Sequence, residues 1–221
     1  MFFSKLKAGF QLLIDPITEW FIGSNAHPNT FTLVGLVINF LAAWLWWVGF
    51  WTAGAWALII AGICDVLDGQ IARRSKSGSK FGALLDSTGD RFSEIAVFFA
   101  LVVVYMERGW IGSAAGVFLA AAGSVMVSYV RARAEGLGFD CSVGMMQRAE
   151  RILILCAAAM FGEMGGAPAK NVAVAVWIIA FFAFFTAFQR VKYIHDLIQN
   201  GSSPSLPQSQ PSSAQPSSIE G

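Results

Sequence analysis

The sequence predicts an all-α integral membrane protein, with six transmembrane helices behind an N-terminal interfacial amphipathic helix. Three observations carry that prediction. The 221-residue chain is 56% hydrophobic and 13% charged, with a mean hydropathy of +0.59, outside the range of soluble globular proteins. Several windows run about 18 residues or more with few or no charges, enough to cross roughly 30 Å of hydrocarbon. All Lys and Arg except Arg108 and Lys170 fall at the termini, in alternate loops or in the parts of the spans next to those loops. The positive-inside rule then puts both termini, and the acidic motif described below, at the cytoplasmic face of a multi-pass inner-membrane protein.

Taken in order, residues 1–22 place Phe3, Leu6, Phe10, Leu13, Ile17 and Phe21 at three- and four-residue steps among Lys5, Lys7, Asp15 and Glu19. That pattern suits a helix lying in the interface, kinked or restarted at Pro16, and is unlike a cleavable signal peptide because it lacks a continuous apolar core. Residues 25–30 form a break, in which Thr30 or Thr32 is suited to cap the next helix. Spans are expected at about 31–51, with Trp44, Trp46, Trp47 and Trp51 as an aromatic belt, and at about 53–73, 81–106, 110–134, 149–163 and 171–198. Together they make one transmembrane domain over residues 23–199. From residue 200 to 221 the chain is rich in Ser, Pro and Gln and is expected to be disordered. The net charge of +1 suggests no nucleic-acid partner. Cys64, Cys141 and Cys156 show no paired spacing, which suggests neither a disulfide framework nor a zinc site. His27 and His195 stand alone.

One stretch concentrates chemistry. Asp65 and Asp68 are spaced i, i+3, and Asp86 and Asp90 i, i+4, so each pair projects from one face of its helix. A carboxylate within a span costs several kcal/mol unless it is paired, hydrated or metal-bound. Four at one depth call for two divalent cations, or one cation and a proton, and oxygen donors suit Mg2+ or Mn2+. Gly69 and Gly82 leave room for a ligand or for close helix packing, and Arg73 reaches a phosphate from one turn beyond Gly69. Carboxylates, divalent metal, glycine and arginine are the parts needed to bind and attack a diphosphate.

The run Asp65-x2-Asp68-Gly69-x2-Ala72-Arg73-x8-Gly82-x3-Asp86-x3-Asp90 resembles the signature of the CDP-alcohol phosphatidyltransferases at every fixed position. The resemblance implies an enzyme of phospholipid biosynthesis. Asp65, Asp68 and Asp86 would hold metal ions on the diphosphate of CDP-diacylglycerol, with Gly69, Ala72, Arg73 and Gly82 around the CDP-lipid. Asp90 would deprotonate the acceptor hydroxyl and touch a metal as well, and CMP would leave. The family resemblance also implies a homodimer.

Arg131, Arg148, Arg151 and Arg190 all fall at the same membrane face, and guanidinium forks suit a phosphomonoester. Ser128-Tyr-Val-Arg-Ala-Arg-Ala-Glu135, Arg148-Ala-Glu-Arg151, Pro28–Gly35 and Gln189-Arg190 are similar to segments of the phosphatidylinositol-phosphate synthase branch. That similarity implies inositol 1-phosphate as the phosphorylated polyol acceptor. Two departures, Arg131 for Lys and Gln147-Arg148-Ala149 for Glu-Arg-Pro, leave glycerol 3-phosphate open, which would make the chain a phosphatidylglycerophosphate synthase. A transporter with intramembrane acids is the alternative of another class. The clustering of the acids at one face argues against it.

Overall fold

The computed structural model describes residues 15–23, 28–75 and 78–200. The expectations for residues 1–14 and for the 201–221 tail lie outside these. The described residues form helices and no strands: a short stretch over 15–23 (α1), then α2 (Pro28–Trp47), α3 (Trp51–Arg74), α4 (Lys80–Glu107), α5 (Ile111–Gly136), α6 (Arg148–Met164) and α7 (Pro168–Gln199).

The long helices close into a ring. α2 packs on both α3 and α4, α4 on α5, α5 on α7, α7 on α6, and α6 returns to α3. Small residues allow the closest approaches: a Cβ on Gly123 of α5 would lie 2.9 Å from the Ala183 Cβ of α7, the packing usual where helices associate in lipid. The interior holds Leu58, Leu101, Val117, Val172, Val176 and Ile179. Phe99, Phe118, Phe181 and Phe188 point outward, each at least two-thirds exposed. Apolar exposure all around the bundle fits a lipid surround rather than water.

Four helices, α2, α3, α5 and α7, are long and apolar enough on their own to cross a membrane. The other two expected spans are present as helices in the same ring, but each falls short of that standard for a physical reason. α4 carries Asp86, Asp90, Arg91 and Glu94 between its start and its middle, and α6 is 17 residues long with Arg148, Glu150 and Arg151 in its first turn.

Three local expectations are corrected. The first helix does not run to residue 51: it stops at Trp47, and Gly49, at φ +93°, turns the chain into α3 at Trp51, a backbone conformation that favours glycine. The four tryptophans are therefore not one belt. Trp44 and Trp47 face outward, whereas Trp46 and Trp51 are buried, with the Trp46 indole N–H donating to the Trp51 carbonyl at 2.8 Å. Pro28 opens α2, where its missing N–H costs nothing, so Thr30 and Thr32 lie within the helix rather than capping it.

α1 is fastened to the end of α3. Arg74 pairs with Glu19 at 2.8 Å and with Asp15, the Thr18 hydroxyl donates to Gln70 Oε1 at 3.1 Å, and Phe21 meets Phe31 edge to face. This places α1 beside the stretch that carries Asp65–Arg73.

Candidate metal and diphosphate site

At the end of the ring where α3 finishes and α4 starts, four helices converge on the acids. Ser79 accepts a hydrogen bond from the Gly82 N–H at 2.9 Å and starts α4 just before the second acidic pair, an N-cap in a position suited to it. Asp65 and Asp68 face Asp86 and Asp90 across a cleft that α2 closes with Thr32, Gly35 and Asn39, and α6 with Arg148. One carboxylate oxygen from each of Asp65, Asp68 and Asp86 lies within 4.8 Å of the others.

These residues fit a divalent cation. The donors are all oxygen, as Mg2+ and Mn2+ prefer, and Asp86 Oδ1 is buried without a hydrogen-bond partner. Asp68 is 5% exposed, and its Oδ2 accepts from the Thr32 hydroxyl at 2.7 Å. Thr32 was not legible as a site residue, because its partner lies 36 positions away. Asp90 stands slightly apart. Its Oδ1 meets Arg148 Nη1 at 2.5 Å, and its Oδ2 lies 3.8 Å from Arg91.

Beside the acids runs a groove lined by Pro28, Asn29, Thr32, Asp68, Gly69, Ala72, Arg73, Gly78, Ser79, Gly82, Ala83 and Asp86. All four residues expected around the CDP-lipid therefore share one groove with two of the carboxylates. A Cβ on Gly69 would meet only the Arg73 guanidinium, at 3.2 Å, and one on Gly82 would lie 3.0 Å from Asn29 Oδ1. Gly69 thus opens the groove rather than seating a neighbouring helix.

The four arginines expected at the acceptor differ in what each one holds. Arg131 is exposed and pairs with Glu135 at 2.8 Å. Arg148 bridges Asp90 and, at 3.4 Å, Asp65. Arg151 is 2% exposed and grips both oxygens of Glu94, at 2.6 and 3.1 Å, while donating to the Met146 carbonyl at 3.0 Å. Arg190, also buried, donates to the carbonyls of Val127 (2.6 Å) and Val143 (2.8 Å). Glu94 escaped the sequence reading, though its position four residues after Asp90 extends the same acidic stripe. The three cysteines are free and buried. Burial pushes the Cys141 thiol up against the opposing pull of Arg190 and Arg131.

The family model for CDP-alcohol phosphatidyltransferases matches residues 25–192. The archaetidylinositol phosphate synthase of Methanothermobacter thermautotrophicus is 37% identical over 192 residues, covering 86% of this chain and 93% of that one. The phosphatidylinositol phosphate synthase of Mycobacteroides abscessus is 33% identical over 187 residues, covering 82% and 83%. The crystal structure of the Mycobacterium tuberculosis phosphatidylinositol phosphate synthase with CDP-DAG bound superposes with a TM-score of 0.73 at 28% identity, covering 81% of this chain and 92% of that one. The same enzyme with manganese and citrate gives 0.72 at 28% identity, covering 81% and 88%.

Proposed function

The chain belongs to the CDP-alcohol phosphatidyltransferases, and we propose from that premise that it joins CDP-diacylglycerol to inositol 1-phosphate, yielding phosphatidylinositol phosphate and CMP. The observation that carries this reading is that the Gly69–Arg73–Gly82 groove shares Asp68 and Asp86 with the three-carboxylate cluster, so metal and diphosphate would lie side by side. The relatives named for inositol phosphate products support the acceptor.

Asp65, Asp68 and Asp86 would hold the divalent cations, Mg2+ or Mn2+, which when bound supply neutralisation of the diphosphate charge. Gly69 and Gly82 leave the groove open to the nucleotide, with Ala72 on its wall, and Arg73 faces its phosphates. Asp90 takes the proton from the acceptor hydroxyl. The oxygen so freed bonds to the lipid-side phosphorus, and the bond from that phosphorus to CMP breaks. An ordinary carboxylate is a weak base near neutral pH, so holding the hydroxyl in line with that bond supplies much of the rate. Arg131, Arg148 and Arg190 are assigned to the acceptor phosphate. Arg151, spent on Glu94 and Met146, supports that site from behind.

The same reading makes α2–α7 six spans and α1 an interfacial helix, with 23–199 as the catalytic domain. The basic residues support a cytoplasmic active site and cytoplasmic termini, and the family resemblance supports a homodimer. The test is CMP release from CDP-diacylglycerol with Mg2+ or Mn2+ against a panel of inositol 1-phosphate, glycerol 3-phosphate and free inositol, with the product lipid weighed by mass spectrometry. Product at the mass of phosphatidylinositol phosphate is expected. Product only with glycerol 3-phosphate would move the chain to phosphatidylglycerophosphate synthesis, and no CMP with any acceptor would overturn the reading.

A further inference from the structure

α4 and α6 are joined by two rungs. Asp90 and Glu94 lie one turn apart on α4, and Arg148 and Arg151 one turn apart on α6, so each acid meets one arginine of α6. The Glu94–Arg151 rung is bidentate, buried and completed by the Met146 carbonyl. Nothing about it invites exchange. The Asp90–Arg148 rung is built differently. A single nitrogen, Nη1, serves two acids from different helices, Asp90 at 2.5 Å and Asp65 at 3.4 Å, while Arg148 Nε is buried without a partner. Asp65 is also one of the three carboxylates within 4.8 Å of one another, so Arg148 rests its charge on the ligand set itself.

We propose that Arg148 and the divalent cation are alternative counter-ions of one acidic cluster, so that loading the metal releases Arg148 toward the anionic acceptor. This rests on the reading of the cluster as a metal site. A guanidinium and a divalent cation drawn to the same Asp65 repel each other at short range in a poorly screened site. Whichever binds weakens the other's hold, and the coupling is reciprocal. Arg148 has somewhere to go, since its Nε lacks a partner and the carboxylates hold it through one nitrogen alone. Arg151, locked to Glu94 three residues along, keeps the α6 turn in register while Arg148 moves. The arrangement makes phosphomonoester binding follow metal binding, so the acceptor site completes itself once the diphosphate site is charged.

The test measures Mn2+ binding to the purified full-length protein by electron paramagnetic resonance of free Mn2+, without lipid or acceptor. Arg148→Gln is expected to tighten Mn2+ binding on the order of tenfold, and Arg133→Gln, at an exposed arginine in the last turn of α5, to leave it unchanged. An unchanged or weaker affinity in Arg148→Gln overturns the proposal, as does equal tightening in Arg133→Gln, which would mark a general charge effect. Should Arg148→Gln not fold, Arg148→Lys decides. Its ammonium lacks the fork of the guanidinium, so affinity between wild type and tenfold tighter is expected, and wild-type affinity overturns the proposal. Loss of CMP release in the acceptor panel would instead strike the function, while unchanged Mn2+ affinity strikes only this exchange.

Discussion

Thr32 of α2 donates its hydroxyl to Asp68 Oδ2 of α3 at 2.7 Å, holding a carboxylate that is 5% exposed. A metal ligand is oriented by the partner of its second oxygen, and losing such a partner typically weakens metal binding 10- to 100-fold. Thr32→Val keeps the shape and removes the donor. Mn2+ affinity is expected to fall by roughly 10- to 100-fold, with Thr32→Ser restoring most of it. Equal affinities for wild type and Thr32→Val would show that α3 alone aims the carboxylate.

Asp90 sits at the edge of the carboxylate trio, within reach of Arg148 and Arg91. That position suits a base that works beside the cations rather than chiefly under them. Asp90→Asn removes the proton acceptor while keeping the side-chain outline. Turnover is expected to drop by about 10²- to 10⁴-fold, with CDP-diacylglycerol binding largely retained. A variant that still turns over at the wild-type rate would remove Asp90 from the base role.

The acids of Asp65–Asp90 were legible because helical spacing alone sets which side chains share a face, and the groove glycines follow from the same stretch. Span number was partly legible. α4 and α6 form where the sequence indicates, but their charges and, for α6, its length keep them from standing out as apolar spans. The partners of the acids were hidden for another reason. Thr32 with Asp68, Glu94 with Arg151 and Arg148 with Asp65 each join different helices, and how helices turn toward one another is set by packing across the ring. Composition marks Arg148 and Arg151 alike as basic residues at a helix start. Only the fold separates the buried Arg151 from the half-buried Arg148.

Arg151 is expected to matter for stability more than for acceptor affinity. Its pair with Glu94 is buried, and removing one partner of such a pair commonly costs about 3–5 kcal/mol because the other charge is stranded. Arg151→Met and Glu94→Gln should each lower the thermal midpoint in detergent, and the double variant should recover part of the loss, as coupled neighbours do. Residual activity of the single variants should show a near-normal KM for the acceptor. A large rise in KM with an unchanged midpoint would return Arg151 to the acceptor site.

Gly82 tests the groove itself. The ideal Cβ position at Gly82 lies 3.0 Å from Asn29 Oδ1 and 3.1 Å from Ser79 Oγ, so a bulkier side chain has to turn into the space between α2 and α4 that the groove occupies. Gly82→Leu fills that space without replacing a carboxylate, and it tests nucleotide access apart from metal binding. KM for CDP-diacylglycerol is expected to rise at least tenfold, on the order of the cost of overfilling a packed site, while Mn2+ affinity stays within about twofold. Steady-state CMP release and the Mn2+ titration read the two arms separately. If both fall together, Gly82 serves the helix packing that builds the metal site. If only KM moves, the groove beside Asp68 and Asp86 is where the nucleotide enters.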